Sequence, residues 1–122
     1  MGIGFSRTST SKKTLVMSFH DSKKWTDHLD NSTNTNKLMV VDFFASWCGP
    51  CRKMEPIFNE LAERYTDIEF IRINVDELKD VAREFGIESM PTFIMLRSGK
   101  EIDKVVGANR NKLEKMIEKH RG

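Results

Sequence analysis

The sequence predicts one α/β domain, a central mixed sheet of about five strands flanked on both faces by about four helices. Three stretches lead to it. "KLMVVDFFA" (residues 37–45) is nearly continuous in apolar residues, as expected of a strand covered on both faces. Met54, Ile57, Phe58, Leu61, Ala62 and Tyr65 recur at helical spacing and mark one buried face of a long helix. "TFIMLRSGKEIDKVVG" (residues 92–107) contains two strand-like runs joined through Ser98-Gly99, a hairpin signal, so part of the sheet is antiparallel.

The remaining elements follow in order. Residues 1–13, "MGIGFSRTSTSKK", are small, polar and basic, with no acid before Asp21. They are expected to form a disordered N-terminal extension, leaving residues 14–122 as the folded domain. "TLVMSF" (residues 14–19) reads as the first strand, and "SKKWTDHLD" as a short helix with Trp25 and Leu29 on one face. "NSTNTN" (residues 31–36) reads as a polar loop. The long helix is expected to start at Cys48 and to kink at Pro56. "IEFIRINV" (residues 68–75) alternates as a strand, and Leu78, Val81, Ala82 and Phe85 mark a short helix stopped by Gly86. Leu113, Met116 and Ile117 give the last helix its apolar face, and Lys119 and Arg121 suit its C-terminal dipole. Trp25 is expected in the core, and Met17, Met39, Met95 and Met116 read as core filler.

Composition narrows the function classes. Hydrophobic residues are 39% and charged residues 31%, an ordinary balance for a soluble domain. A formal net charge of +2 without a dense Lys/Arg tract argues against nucleic acid as a partner. No apolar run approaches a membrane span, and no signal-peptide core follows the N-terminus. Two cysteines are too few for a disulfide-rich secreted scaffold, which points to a reducing compartment.

Both cysteines fall in "WCGPC", Cys48 and Cys51 with Gly49 and Pro50 between them. A structural zinc site needs four ligands, and His20, His28 and His120 are far from the pair in sequence, so no metal is expected. A loop this short would stabilise little as a structural staple. Reversible redox chemistry remains, and helical geometry suits it: residues i and i+3 face the same way. At a helix start, free backbone amides and the dipole favour a thiolate at Cys48. Cys51, one turn in, is more sheltered. Cys48 is therefore expected to attack and Cys51 to resolve, while Pro50 fits a first turn that needs no backbone donor.

"VVDFFAS" before the pair, "RKMEP" after it, and then "INVDE", "GIESMPTF", "SGKEID" and "VVGA" together resemble the thioredoxin family, from about residue 14 to residue 120. The "NTNKL" lead-in and the extended N-terminus look most like plant h-type thioredoxins. The resemblance implies the thioredoxin fold and a protein-disulfide reductase that requires no bound cofactor. Its partners would be disulfide-containing proteins and an NADPH-dependent thioredoxin reductase. The competing reading is a redox-inactive binding module that uses the same apolar rim.

The strand pattern alone leaves Asp42 open: a carboxylate at a solvated strand end, or one buried among apolar neighbours with its pKa raised. By resemblance it matches the family's buried aspartate, which helps deprotonate the resolving thiol. Arg72 stands where the family commonly has a lysine, and an arginine cannot deprotonate. Pro91 matches the family's cis-proline, leaving the Met90 backbone free to pair with an extended substrate. Trp47, Gly49, Pro50, Met90 and Gly107 would complete an apolar docking rim.

The first residues carry a separate signal. "MGIGFS" fits the N-myristoylation pattern, with Gly2 as acceptor and Ser6 in place. A mitochondrial transit peptide competes, since Arg7, Lys12, Lys13 and several serines precede the first acid, although Gly2 and Gly4 weaken any helix there. The expected location is cytoplasmic, with reversible membrane association through Gly2.

Overall fold

The computed structural model describes residues 15–121. The expectations for residues 1–13, including Gly2, lie outside the described residues. Among those described, five strands and four helices alternate along the chain. They are β1 (Val16–Phe19), α1 (Ser22–Ser32), β2 (Leu38–Phe44), α2 (Gly49–Arg64), β3 (Glu69–Asn74), α3 (Lys79–Glu84), β4 (Thr92–Arg97), β5 (Lys100–Val106) and α4 (Arg110–His120). The strands form one mixed sheet in the order β1-β3-β2-β4-β5. β3 runs parallel to β1 and β2, and β4 runs antiparallel to β2 and β5.

Strand alternation sorts the core into two layers. Leu38 and Val40 of β2, Phe70 of β3, and Phe93 and Met95 of β4 pack with Met54, Phe58 and Leu61 of α2 and Leu113 and Ile117 of α4. Met39, Val41 and Phe43 point the other way, onto Trp25 of α1 and Val81 of α3. β2 is therefore dry on both faces, as its unbroken apolar run requires. By the same alternation Asp42 and Arg72, paired in register across β2 and β3, belong to the face that α2 covers.

The helix ends have local causes. Asp21 and Asn109 accept the third amides of α1 and α4, from Lys24 at 3.2 Å and Lys112 at 3.0 Å. Phe85 caps the C-terminus of α3, and Gly86 follows at a φ of +65° that favours glycine. α2 continues through Pro56, whose missing N–H withholds one bond from the ladder. In the β4–β5 turn Ser98 and Gly99 both have positive φ, 54° and 78°, the requirement of a two-residue primed hairpin.

Two expectations are corrected. Asn31 and Ser32 belong to α1 and not to the following loop, because Ser32 Oγ donates to the Leu29 carbonyl at 2.6 Å and extends the helix. Met17 is not core filler: β1 is an edge strand, and Met17 is 38% exposed on it. Met39, Met95 and Met116 are buried.

Phe58 anchors the layer under α2, with its ring centroid 5.1 Å from Phe70 and 5.8 Å from Phe93. Phe58→Ala is expected to cost about 3–5 kcal/mol, from lost transfer energy plus a cavity that such close neighbours cannot fill. Urea unfolding measures it, and a loss below about 1 kcal/mol would show that the layer repacks.

Candidate active site

At the end of β2 the chain leaves the sheet through Ala45, Ser46 and Trp47 and enters α2 at Cys48. Cys48 is the N-cap of α2, one residue outside the helix expected to begin there. Its extended backbone points the side chain back over the first turn, where Sγ accepts the Cys51 amide at 3.2 Å. Cys48 and Cys51 form a disulfide with their Cα atoms 5.3 Å apart, within the ordinary range for such a bond. Cys51 is 1% exposed and Cys48 6%, so the cap sulfur is the more accessible of the two. Gly49 and Pro50 are exposed between them, and Pro50 sits in the first turn, where no donor is lost.

Three loops meet at the pair. Met90 carries its carbonyl oxygen to 3.6 Å from Cys48 Sγ, and the Met90–Pro91 peptide is cis. Gly107, at a φ of +104°, donates its N–H to the Pro91 carbonyl at 2.8 Å. Trp47 is 68% exposed, and its indole N–H donates to Asp76 Oδ2 at 2.9 Å. The structure thus brings together Trp47, Cys48, Gly49, Pro50, Cys51, Met90, Pro91 and Gly107. Asp76, the partner that fixes Trp47, lies in the "INVDE" stretch that carries the family resemblance, but nothing in that stretch singles it out as part of the site.

Asp42 is fully buried, which removes the solvated-end alternative. Neither carboxylate oxygen has a hydrogen-bond partner among the described residues. Arg72 Nε lies 3.5 Å from Asp42 Oδ2, an ion-pair contact too long for a good hydrogen bond. Burial is the stronger influence and pushes the Asp42 pKa up to about 7, against the opposing pull of Arg72. The guanidinium also lies 3.7 Å over the Phe44 ring, and its Nη1 is 3.4 Å from Glu55 Oε2. Glu55 was not singled out in sequence, although it sits four residues after Cys51 on a helix. The three histidines pair with carboxylates elsewhere: His20 with Glu77, His28 with Glu69 and His120 with Asp103.

The thioredoxin family model matches residues 16–119. The chain belongs to the thioredoxin family. It is 45% identical over 111 residues to thioredoxin H2 of Arabidopsis thaliana, covering 91% of this chain and 84% of the relative. With thioredoxin H2-1 of Oryza sativa subsp. japonica it shares 49% identity over 105 residues, 86% of this chain and 76% of the relative. The crystal structure of the thioredoxin NaTrxh from Nicotiana alata superposes with a TM-score of 0.88 at 51% identity, covering 98% of this chain and 100% of that one. The sheet and helices are those of a thioredoxin fold, and the Cys48–Cys51 pair is a redox-active dithiol centre. The protein is a thiol-disulfide oxidoreductase of the protein-disulfide reductase type, acting on disulfide-containing proteins.

The raised Asp42 pKa has a consequence for stability. An unfolded Asp titrates near 3.8 and the folded one near 7, so between these values the folded state binds the proton more tightly. This contribution to stability is complete below about pH 4 and is lost as pH rises through about 7. At 1.36 kcal/mol per unit, the loss above that range is roughly 4 kcal/mol. Asp42→Asn mimics the protonated group, so its stability advantage over the parent should be small at about pH 4.5 and reach several kcal/mol at about pH 8. Urea unfolding of the oxidised protein at the two pH values decides it; a gap that does not widen refutes the raised pKa.

Proposed function

We propose that Cys48 is the attacking thiol, Cys51 the resolving thiol and Asp42 the acceptor of the Cys51 proton. The position of Cys48 as the N-cap of α2, beside an exposed apolar rim, carries this reading. First-turn amides stabilise negative charge on its sulfur, and a thiolate is the form that attacks a disulfide. The Cys48 thiolate displaces one sulfur of the target disulfide, and that leaving thiolate takes up a proton. Cys51 then gives its proton to Asp42 and attacks Cys48 Sγ, expelling the second target thiolate. The target disulfide gains two electrons and two protons, and the dithiol becomes the Cys48–Cys51 disulfide. An NADPH-dependent flavoprotein reductase returns the electrons, and no bound cofactor takes part.

Trp47, Gly49, Pro50, Met90, Pro91 and Gly107 form the docking rim, with the Met90 backbone available to pair with an extended target segment. A redox-inactive binding module would need the rim but neither thiol; two cysteines in bonding geometry favour turnover.

The protein is expected to accelerate reduction of insulin by dithiothreitol, and Cys48→Ser should abolish this. Cys51→Ser should instead accumulate a mixed disulfide, and mass spectrometry should place it on Cys48. An adduct at any other residue overturns the assignment, and absence of insulin reduction by the parent protein returns the binding module.

The N-terminal sequence supports a cytoplasmic enzyme that visits membranes reversibly through Gly2 myristoylation. No helix among the described residues is long and apolar enough to cross a membrane. One myristoyl chain binds only with K of about 10⁴ M⁻¹, and the chain's only two cysteines are the dithiol pair, so palmitoylation cannot reinforce it. Arg7, Lys12 and Lys13 add at most about 1 kcal/mol each at an anionic surface. Gly2→Ala should empty the membrane fraction on cell fractionation, and high salt should reduce it; an unchanged fraction, or mitochondrial import, rules the lipid out.

A further inference from the structure

We propose that Glu55 is a positioning residue of the dithiol reaction: from the rim of α2 it holds one end of the Arg72 guanidinium, and so sets how closely the other end approaches Asp42. The proposal rests on the reading above, in which Asp42 takes the proton of Cys51.

Arg72 is held on three sides. Its Cζ lies 3.7 Å from the Phe44 ring centroid, its Nη1 is 3.4 Å from Glu55 Oε2, and its Nε is 3.5 Å from Asp42 Oδ2. A guanidinium free to close on a carboxylate makes two short parallel hydrogen bonds, at about 2.7–2.9 Å. Here the approach is incomplete: Asp42 Oδ1 and Oδ2 and Arg72 Nε all lack hydrogen-bond partners among the described residues. The Arg72 side chain is 14% exposed and Glu55 48%, so the pull on the guanidinium comes from the solvent side. The groups facing Asp42 come from each neighbouring element. β3 brings Arg72, α2 brings the charge of Glu55, one turn after Cys51 on the same helix face, and β4 brings the apolar Phe93.

The distance matters because the charge itself is permanent. A lysine could lose its proton; an arginine does not, so separation is what adjusts its influence on Asp42. A closed Arg72–Asp42 fork would stabilise the carboxylate and leave it a poor acceptor for a thiol proton. Glu55 opposes that twice, by drawing the guanidinium away and by adding a like charge near Asp42. Removing the Glu55 charge therefore acts in one direction only, toward the ionised carboxylate.

The experiment is a carbon-13 NMR titration of the Asp42 carboxyl in the oxidised full chain. Glu55→Gln should lower its midpoint by roughly half to one pH unit, and Glu55→Asp should restore most of the shift. Single-turnover release of a small thiol from a mixed disulfide on Cys48 should follow, with its pH profile displaced to lower pH and its upper plateau reduced several-fold. In an Arg72→Lys background, Glu55→Gln should move the midpoint less than half as far, because the fork through which it acts is gone. An unshifted carboxyl titration in Glu55→Gln, or an equal shift in the Arg72→Lys background, overturns the proposal. An Asp42→Asn protein that keeps the parent pH profile of thiol release overturns the proton-transfer reading as well; the carboxyl titration separates the two failures.

Discussion

Helices cover both faces of the sheet, and the burden falls on β2. Leu38 and Val40 face one helical layer, Met39, Val41 and Phe43 the other, and all five are buried. Each such side chain contributes about 1.5–3 kcal/mol on burial. The penalty for an ionised Asp42 on the same strand is roughly 4 kcal/mol, about the contribution of two of its neighbours. A strand this apolar can therefore carry one costly group without loss of the fold. Because β2 also delivers the chain to α2, the costly group lies on the strand that launches the thiols.

The unlike environments of the two thiols come from the first turn of α2. Cys48 is outside the helix by one residue and serves as its cap, so its sulfur meets an amide that has no helical partner. Cys51 lies inside the turn, its own N–H spent on Cys48, with almost no exposure. Helix-terminal electrostatics of this kind are worth about 0.3–1 kcal/mol at exposed sites and more when partly buried. A difference of that size is enough to bias which thiol ionises first. The proposed resolution step needs an acceptor for the second proton, and the buried Asp42 carboxyl, raised to about 7 on the strand beneath α2, suits that proposal.

Much of this was legible because it is written in local patterns. The continuous apolar run of β2, the face of α2 from Met54 to Tyr65 and the Ser98-Gly99 turn each depend on a few adjacent residues, and each formed where expected. The errors fell where tertiary setting decides. Asn31 and Ser32 look like loop residues until Ser32 Oγ finds the Leu29 carbonyl. Met17 looks like core until β1 proves to be an edge. The location of Asp42 required knowing that α2 covers its face, which periodicity alone does not say. Glu55 was invisible for a similar reason: its partner, Arg72, is on another element, and surface glutamates are common on helices.

The division of labour within the site follows from the same geometry. The dithiol stands on α2 and its cap, and the proposed proton acceptor Asp42 and its neighbour Arg72 stand on β2 and β3, whose packing fixes their separations. The proposed docking rim stands on the first turn of α2 and on the loops after β2, before β4 and after β5, where Trp47 and Val106 are exposed and Trp47 is pinned by one hydrogen bond to Asp76. On that proposal, backbone pairing along Met90 and a few apolar contacts would read the shape of an extended segment more than its sequence. Loop substitutions can then retune which disulfides dock while leaving the proton path unchanged. Arg72 and Glu55 fall on the other side of this line: on the proposed reading they lie outside the docking rim and act through Asp42. Variation at these two positions would tune the pH range of turnover independently of target choice.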